Sequence, residues 1–83
     1  MYYVYVLISL RDNKFYIGFS EDVQQRFSEH NSGKNVSTKS RRPFKLLYYE
    51  AHLSKEDALR RERYFKTAKG KTTLGQMLRN SLL

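Results

Sequence analysis

Two short segments rich in β-branched and aromatic residues lie close together near the start of the chain. Residues 2–8 are Tyr-Tyr-Val-Tyr-Val-Leu-Ile and residues 15–19 are Phe-Tyr-Ile-Gly-Phe, with the polar stretch 9–14 between them. Residues of these types favour strands, and a short polar stretch between two strands favours a hairpin. We therefore predict an antiparallel hairpin that turns near Asp12 and Asn13.

The alternation of side chains along the hairpin predicts two different faces. The pairing that gathers the most apolar residues places six of them on one face: Val4, Val6, Ile8, Phe15, Ile17 and Phe19. The same pairing places four residues on the opposite face: Tyr3, Tyr5, Tyr16 and Gly18. A slip of one residue would separate the tyrosines, so this prediction depends on the register.

A helix is predicted over residues 21–31, directly after the hairpin. Ser20-Glu21-Asp22 has the pattern of an N-cap followed by an acidic first turn, and Gly33 suits the end of the helix. Arg26 and His30 are one turn apart and therefore point roughly the same way.

The second half of the chain predicts one further strand and two further helices. Residues 44–53 have the mixed pattern of a partly buried strand. Ser54 opens a segment that resembles a capping box, which predicts a helix through about Ala68 with Gly70 at its end.

A last short helix is predicted with Thr72 or Thr73 as its cap. Its apolar side consists of four residues: Leu74, Met77, Leu78 and Leu82. The order β-β-α-β-α-α predicts an α+β fold with a small three-stranded, mainly antiparallel sheet flanked by helices. With 83 residues, the chain fits a single domain over residues 1–83.

The charge of the chain favours a polyanionic partner. The formal net charge is +8, and nucleic acid is the commonest partner of such chains. The segment 34–45 has no acidic residue and five basic ones: Lys34, Lys39, Arg41, Arg42 and Lys45. Its Ser, Thr, Asn and Gly content predicts a mobile loop that contacts phosphates, although a merely solvated loop has the same pattern.

Several protein classes are excluded by composition. The chain has no cysteine, which excludes thiolate zinc sites, disulfides and cysteine nucleophiles. No apolar run approaches the ~18 to 20 residues of a membrane-spanning helix, and the first residues do not resemble a signal peptide. We expect a cytoplasmic protein that does not enter a membrane.

Glu62 is an acidic residue that the helical spacing places among apolar residues. Helical spacing places it in the sector of Ala58 and Phe65, where a carboxylate needs a partner. An ion pair with Lys66 is the plain interpretation, and a ligand for a hard cation is the alternative.

The strand tyrosines have an equally plain interpretation as packing residues. A functional site is favoured instead by the convergence of several side chains. The phenols of Tyr5 and Tyr16 share one sheet face, and Arg26 and His30 reach that face from the next helix. His52 has no companion in the sequence and is interpreted as structural.

These residues together resemble the GIY-YIG nuclease family over essentially the whole chain. The resemblance is carried by Tyr3-Val4-Tyr5, Tyr16-Ile17-Gly18, Arg26, His30 and Glu62. The second motif is complete, whereas the first has Tyr3 for Gly and Val4 for Ile. Among family members the chain is most similar to small stand-alone proteins related to the nuclease module of the excision-repair subunit UvrC.

The resemblance implies roles for five residues. Glu62 would bind one divalent cation, Mg²⁺ or Mn²⁺, at the scissile phosphate. Tyr5 would be the general base, which needs nearby positive charge because a free phenol has a pKa of ~10. His30 would relay a proton, Tyr16 would orient phosphate or water, and Arg26 would stabilise negative charge.

The expected function is therefore metal-dependent hydrolysis of the phosphodiester bonds of DNA, endonuclease-like, selective for structure and acting in repair or turnover. DNA would be contacted mainly through its phosphates, with Gly18 and the basic segment as further contacts, and a repair protein is a candidate partner. Two alternatives stay open: a nucleic-acid-binding module without catalysis, and a protein-interaction adaptor. No residue here is matched to the late asparagine or lysine of some family nucleases, Asn80 included.

Overall fold

The computed structural model describes residues 1–83 and has the predicted element order. The strands are β1 (Tyr2–Ser9), β2 (Phe15–Ser20) and β3 (Phe44–His52). The helices are α1 (Val23–Ser32), α2 (Lys55–Phe65) and α3 (Ala68–Met77). A 3₁₀ turn, Lys39–Arg41, lies between α1 and β3. The sheet has the order β2-β1-β3 with both pairings antiparallel, which confirms the predicted fold class.

The hairpin of β1 and β2 has the predicted register. Tyr5 is opposite Gly18 and Val6 is opposite Ile17. The turn contains Asn13 in the left-handed region, with φ of 59°, a conformation that asparagine tolerates better than most residues. The backbone N–H of Lys14 donates to the Asp12 carboxylate across the turn, which stabilises the turn.

The sheet is covered on both faces, and β1 lies in its middle. Seven buried residues form the core beneath α2 and α3: Val4, Val6, Ile17, Ala58, Phe65, Leu74 and Leu78. Four others form a smaller cluster on the α1 side: Tyr5, Leu7, Val23 and Phe44. Tyr3 and Tyr16 pack against this smaller cluster, so the tyrosines lie on the face predicted from the alternation.

Helix α1 begins two residues later than predicted. Asp22, not Ser20, is the N-cap, because its carboxylate accepts from the backbone N–H of Gln25. Ser20 instead accepts from the N–H of Asp22 and closes a local turn. Gly33 ends the helix with φ of 82°, as predicted.

The prediction that Gly70 ends the second helix is wrong. Helix α2 ends at Phe65, and the hydroxyl of Thr67 accepts from the backbone N–H of Gly70 to cap α3. A Cβ on Gly70 would lie 1.9 Å from the carbonyl oxygen of Tyr64. Gly70 is therefore required by the close approach of the two helices.

The last helix starts earlier than predicted and buries less of its apolar side. Thr72 and Thr73 do not cap it, because their hydroxyls donate to carbonyls within the helix. Leu74 and Leu78 are buried as predicted, but Met77 and Leu82 are 43% and 38% exposed.

The prediction that His52 has no companion is also wrong. The Glu50 carboxylate accepts hydrogen bonds from Tyr48, His52 and Arg61, at 2.9, 2.6 and 3.0 Å. Burial alone would raise the pKa of Glu50, but these hydrogen bonds outweigh burial and lower its pKa below the ordinary 4.5. The cluster ties β3 to α2, the helix that carries Glu62.

Candidate active site

Tyr5 lies at the centre of the α1 side of the sheet. Its side chain is fully buried, and its ring extends across Gly18 of the neighbouring strand. A Cβ on Gly18 would lie 2.2 Å from Cζ of Tyr5, closer than any packed contact. Gly18 was predicted to contact nucleic acid, but it is buried beneath the ring and makes room for Tyr5.

A chain of hydrogen bonds leads inward from Tyr5. The Tyr5 hydroxyl is 3.0 Å from Nε2 of His30, and Nδ1 of His30 is 2.8 Å from Oγ1 of Thr38. The Thr38 hydroxyl donates to the carbonyl of Asn35, which can only accept. Thr38 therefore accepts from Nδ1–H, which leaves Nε2 as the acceptor for the Tyr5 hydroxyl.

Burial sets the protonation states of this pair. Burial and the charge of Arg26 lower the pKa of His30 below its ordinary 6.5, so the imidazole is neutral at pH 7. Burial and the neighbouring Tyr16 raise the pKa of Tyr5 to about 12, although Arg26 acts in the opposite direction. The phenol of Tyr5 is thus protonated and faces a neutral proton acceptor.

Tyr16 packs beside this pair against His30 and Phe44. Its ring centroid is 4.7 Å from that of His30 and 6.3 Å from that of Phe44. The side-chain amide of Asn31 holds Phe44 in place by donating to its carbonyl and accepting from its N–H, at 3.0 and 2.7 Å. Helix α1 is thereby fixed to the start of β3.

Arg26 is the exposed charged residue of the group. Its side chain is 45% exposed and forms an ion pair of 3.5 Å with Glu29, one turn along α1. Its charge acts on both Tyr5 and His30. Arg26 therefore provides positive charge beside Tyr5 and His30, with a guanidinium that solvent reaches.

Glu62 approaches the same group from α2. Its side chain is 17% exposed, and Oε2 pairs with Nζ of Lys66 at 3.2 Å, as the plain interpretation predicts. Its carboxylate contributes to the raised pKa of Tyr5, as the smallest of the effects acting on this phenol. Oε1 has no protein partner and is open to solvent.

The donor set near Glu62 limits how a metal ion could be held. No group of three or more His, Asp or Glu side chains is arranged to bind a metal ion. One carboxylate with a free oxygen still fits Mg²⁺, which is commonly held by one or two carboxylates while waters and phosphate oxygens complete its shell.

The predicted basic segment is more ordered than its composition suggested. Arg41 donates to Asp12 and to the carbonyls of Lys14 and Phe15, and Arg42 donates to the carbonyl of Lys39. Three lysines of the segment are exposed and form no ion pair: Lys34, Lys39 and Lys45. The two arginines thus anchor the segment, and the lysines present its charge.

Two residues that position the site were missed from the sequence. Thr38 is only 2% exposed although it lies in a polar segment, and Asn31 had been placed at the end of a helix without a role. Both act on residues distant in the chain, and neither periodicity nor motif spacing signals such contacts.

The hairpin tyrosines face Arg26 and His30 of α1, and Glu62 follows on a later helix. The family model of the GIY-YIG catalytic domain matches residues 1–75. The chain belongs to the GIY-YIG family, which confirms the resemblance seen in the motifs.

Its curated relatives include several bacterial proteins designated UPF0213, a name that states no activity. The chain is 44% identical to one from Streptococcus pneumoniae over 81% of this chain and 68% of that protein. It is 47% identical to one from Lacticaseibacillus paracasei over 78% of this chain and 73% of that protein. The solution structure of a UPF0213 protein from Bacillus halodurans is 37% identical, with a TM-score of 0.57, over 93% of this chain and 85% of that chain.

None of the helices is both long enough and apolar enough to cross a bilayer.

Proposed function

We propose that this protein hydrolyses phosphodiester bonds of DNA with the help of one divalent cation. The observation that carries the proposal is the buried hydrogen bond between Tyr5 and His30, with the charges of Arg26 and Glu62 acting on the same phenol. A buried phenol needs a hydrogen-bond partner in any case, so it is the two opposite charges acting on this phenol that favour a site over packing alone.

In this mechanism Tyr5 is the general base. Its hydroxyl proton passes along the hydrogen bond to Nε2 of His30, and the phenolate then takes a proton from the water that attacks phosphorus. Thr38 keeps Nδ1 of His30 protonated, so that Nε2 stays available to accept. Because the pKa of Tyr5 is about 12, this transfer requires additional positive charge near the phenol.

The remaining residues of the proposed site would bind the metal ion and the phosphate and stabilise the negative charge that develops. When bound at Oε1 of Glu62, Mg²⁺ or Mn²⁺ would supply positive charge at the scissile phosphate and at the leaving oxygen. Arg26 would stabilise the charge that develops on the phosphoryl oxygens, and Tyr16 would orient the phosphate or the water.

The substrate is proposed to be DNA bound through its phosphates, with shape rather than base sequence as the determinant. The net charge of +8 supports such binding, and the exposed lysines Lys34, Lys39 and Lys45 supply charge near α1 and β3. Repair or turnover of branched DNA in the cytoplasm, with a repair protein as partner, is the setting that the family relation supports.

A second candidate function is nucleic-acid binding without catalysis. It is favoured by one observation, the ion pair of Lys66 with Oε2 of Glu62, which already neutralises the carboxylate that the proposed cation would use. Salt-sensitive binding that is indifferent to metal ions would distinguish this function from the first.

The test measures cleavage of single-stranded, duplex, flap and branched DNA with Mg²⁺, Mn²⁺ or EDTA. We expect cleavage with metal, and a loss of about 10²-fold or more in Glu62→Gln. Glu56→Gln, on an exposed position of the same helix, is the matched control and should retain activity. Cleavage in EDTA, or full activity in Glu62→Gln, would contradict the proposed metal site, and no cleavage of any substrate would favour the binding module.

A further inference from the structure

An open cavity lies between the β1–β2 turn, the 3₁₀ turn and α3. Its volume is about 680 Å³, and six residues line it: Asp12, Asn13, Lys14, Phe15, Arg41 and Lys71. Lys14 and Lys71 come from distant parts of the chain and are brought together only by the fold. Neither was among the residues predicted from the sequence to contact nucleic acid.

The lining of the cavity is positively charged because its one carboxylate is already paired. Oδ2 of Asp12 accepts from Nε of Arg41 at 2.8 Å. The hydrogen bond from Arg41, together with one from the backbone N–H of Lys14, lowers the pKa of Asp12 to about 2. The ammonium groups of Lys14 and Lys71 form no ion pair within the protein, so both charges are free to bind an anion.

The guanidinium of Arg41 is held rigidly at the wall of the cavity. Its Nε and Nη2 donate to Asp12 and to the carbonyls of Lys14 and Phe15. Its Nη1 makes no hydrogen bond in the protein. A fixed guanidinium with an unused donor group beside two free ammonium groups matches the oxygens of a phosphate.

The cavity is one aromatic ring away from the candidate active site. The guanidinium carbon of Arg41 is 5.6 Å from the ring centroid of Phe44, and the Phe44 centroid is 6.3 Å from that of Tyr16. Arg41 is therefore close enough to Tyr16 for one short stretch of a nucleic-acid strand to contact both.

We propose that this cavity binds a backbone phosphate of the nucleic-acid strand on one side of the scissile bond. Lys14, Lys71 and Nη1 of Arg41 hold that phosphate while the scissile phosphate lies at Tyr5 and Glu62. This assignment rests on the proposed function for its ligand, and it gives the substrate a second fixed point that sets which bond reaches Tyr5.

The test is a binding measurement in EDTA, so that hydrolysis does not contribute. Fluorescence anisotropy of a labelled duplex with a single-stranded arm is recorded over a salt series for Lys14→Gln/Lys71→Gln. We expect affinity to fall about tenfold or more near physiological salt, and the slope of log affinity against log salt to decrease by about one to two. Neither side chain has a protein partner, so the thermal unfolding midpoint should stay unchanged.

The matched control is Lys55→Gln/Lys69→Gln, which removes the same charge from exposed positions outside the cavity. Equal loss of affinity in both double variants would overturn the proposal, because it would reflect net charge alone. Saturation of the backbone amide shifts around Lys14 and Lys71 by inorganic phosphate as readily as by the DNA would also overturn it, in favour of a free-anion site.

The binding test of the cavity and the cleavage test of the proposed function can fail independently of each other. A selective loss of affinity in the cavity variant of a protein that never cleaves DNA would support the phosphate site and reject the nuclease. Cleavage together with equal affinities of the cavity and control variants would support the nuclease and reject the phosphate site.

Discussion

The hydroxyl oxygen of Tyr5 and Nε2 of His30 lie 3.0 Å apart in the interior of the protein. Burial acts on the two groups in opposite directions, because it raises the pKa of Tyr5 to about 12 and lowers that of His30. The resting proton therefore lies on the phenol, with a neutral imidazole beside it. In the proposed mechanism, the pair transfers that proton when positive charge arrives next to Tyr5.

Thr38→Val tests the inner end of this chain of hydrogen bonds. Removal of the hydroxyl leaves Nδ1–H of His30 without its acceptor, so Nε2 is no longer held as the acceptor for Tyr5. We expect kcat to fall about tenfold or more, with a changed pH profile. Ser40→Ala, exposed in the same segment, is the control, and an unchanged pH profile in Thr38→Val would reject the positioning role.

The pH dependence of cleavage follows from the two shifted groups. The proposed mechanism needs neutral His30, whose pKa lies below its ordinary 6.5, so activity should be lost only as the pH falls through that lowered value. Activity should keep rising above neutrality, because the pKa of Tyr5 in the metal-free site is about 12. Rates of cleavage measured between about pH 5 and 10 test this, and a maximum below pH 6 would contradict it.

Gly18→Ala tests the space that Tyr5 occupies. The added Cβ would lie 2.2 Å from Cζ of Tyr5, so the ring must leave its present position and the hydrogen bond to His30 is disturbed. We expect a decrease of about 1 to 3 kcal/mol in the free energy of unfolding and a loss of cleavage. In Gly75→Ala, the control, the Cβ meets nothing within 4 Å, and stability should be unchanged or slightly higher. Equal stability of the two variants would contradict the packing described for Tyr5.

The hairpin and its tyrosine face could be predicted because one face of the sheet is clearly more apolar than the other. That contrast sets the register, and the register places Tyr5 opposite Gly18. The start of α1 was misplaced because Ser20 and Asp22 are both good caps. The choice between them depends on how the chain leaves β2, which local propensity does not specify.

Contacts between distant segments explain most of what the sequence did not reveal. Gly70 resembles a helix end but is required by the carbonyl of Tyr64. Thr38 resembles an ordinary loop residue but completes the Tyr5 and His30 chain. Such roles depend on contacts between segments that are distant in the chain, and a single sequence has no periodic pattern that marks them.

Glu50→Gln tests the cluster that ties β3 to α2. The pKa of Glu50 is lowered in the folded protein, so its stabilising contribution is present above the unfolded-state value and is lost as pH falls through the lowered folded value. We expect the variant to lose about 1 to 3 kcal/mol at neutral pH and to show a weaker decline in stability in acid. Denaturant unfolding at several pH values measures this, with exposed Glu21→Gln as control. The same acid dependence in wild type and Glu50→Gln would contradict the assignment.

The most direct test of the account is single-turnover cleavage of DNA by Tyr5→Phe. This change removes one oxygen atom and leaves the packing across Gly18 intact, and Tyr49→Phe, on a 53% exposed position, is the control. If Tyr5 is the general base, the rate should fall by about 10² to 10⁴ while DNA affinity stays near that of the unmodified protein. The unfolding midpoint should fall by only a few degrees, because Nε2 of His30 loses its buried partner. Full activity in Tyr5→Phe would contradict the central claim.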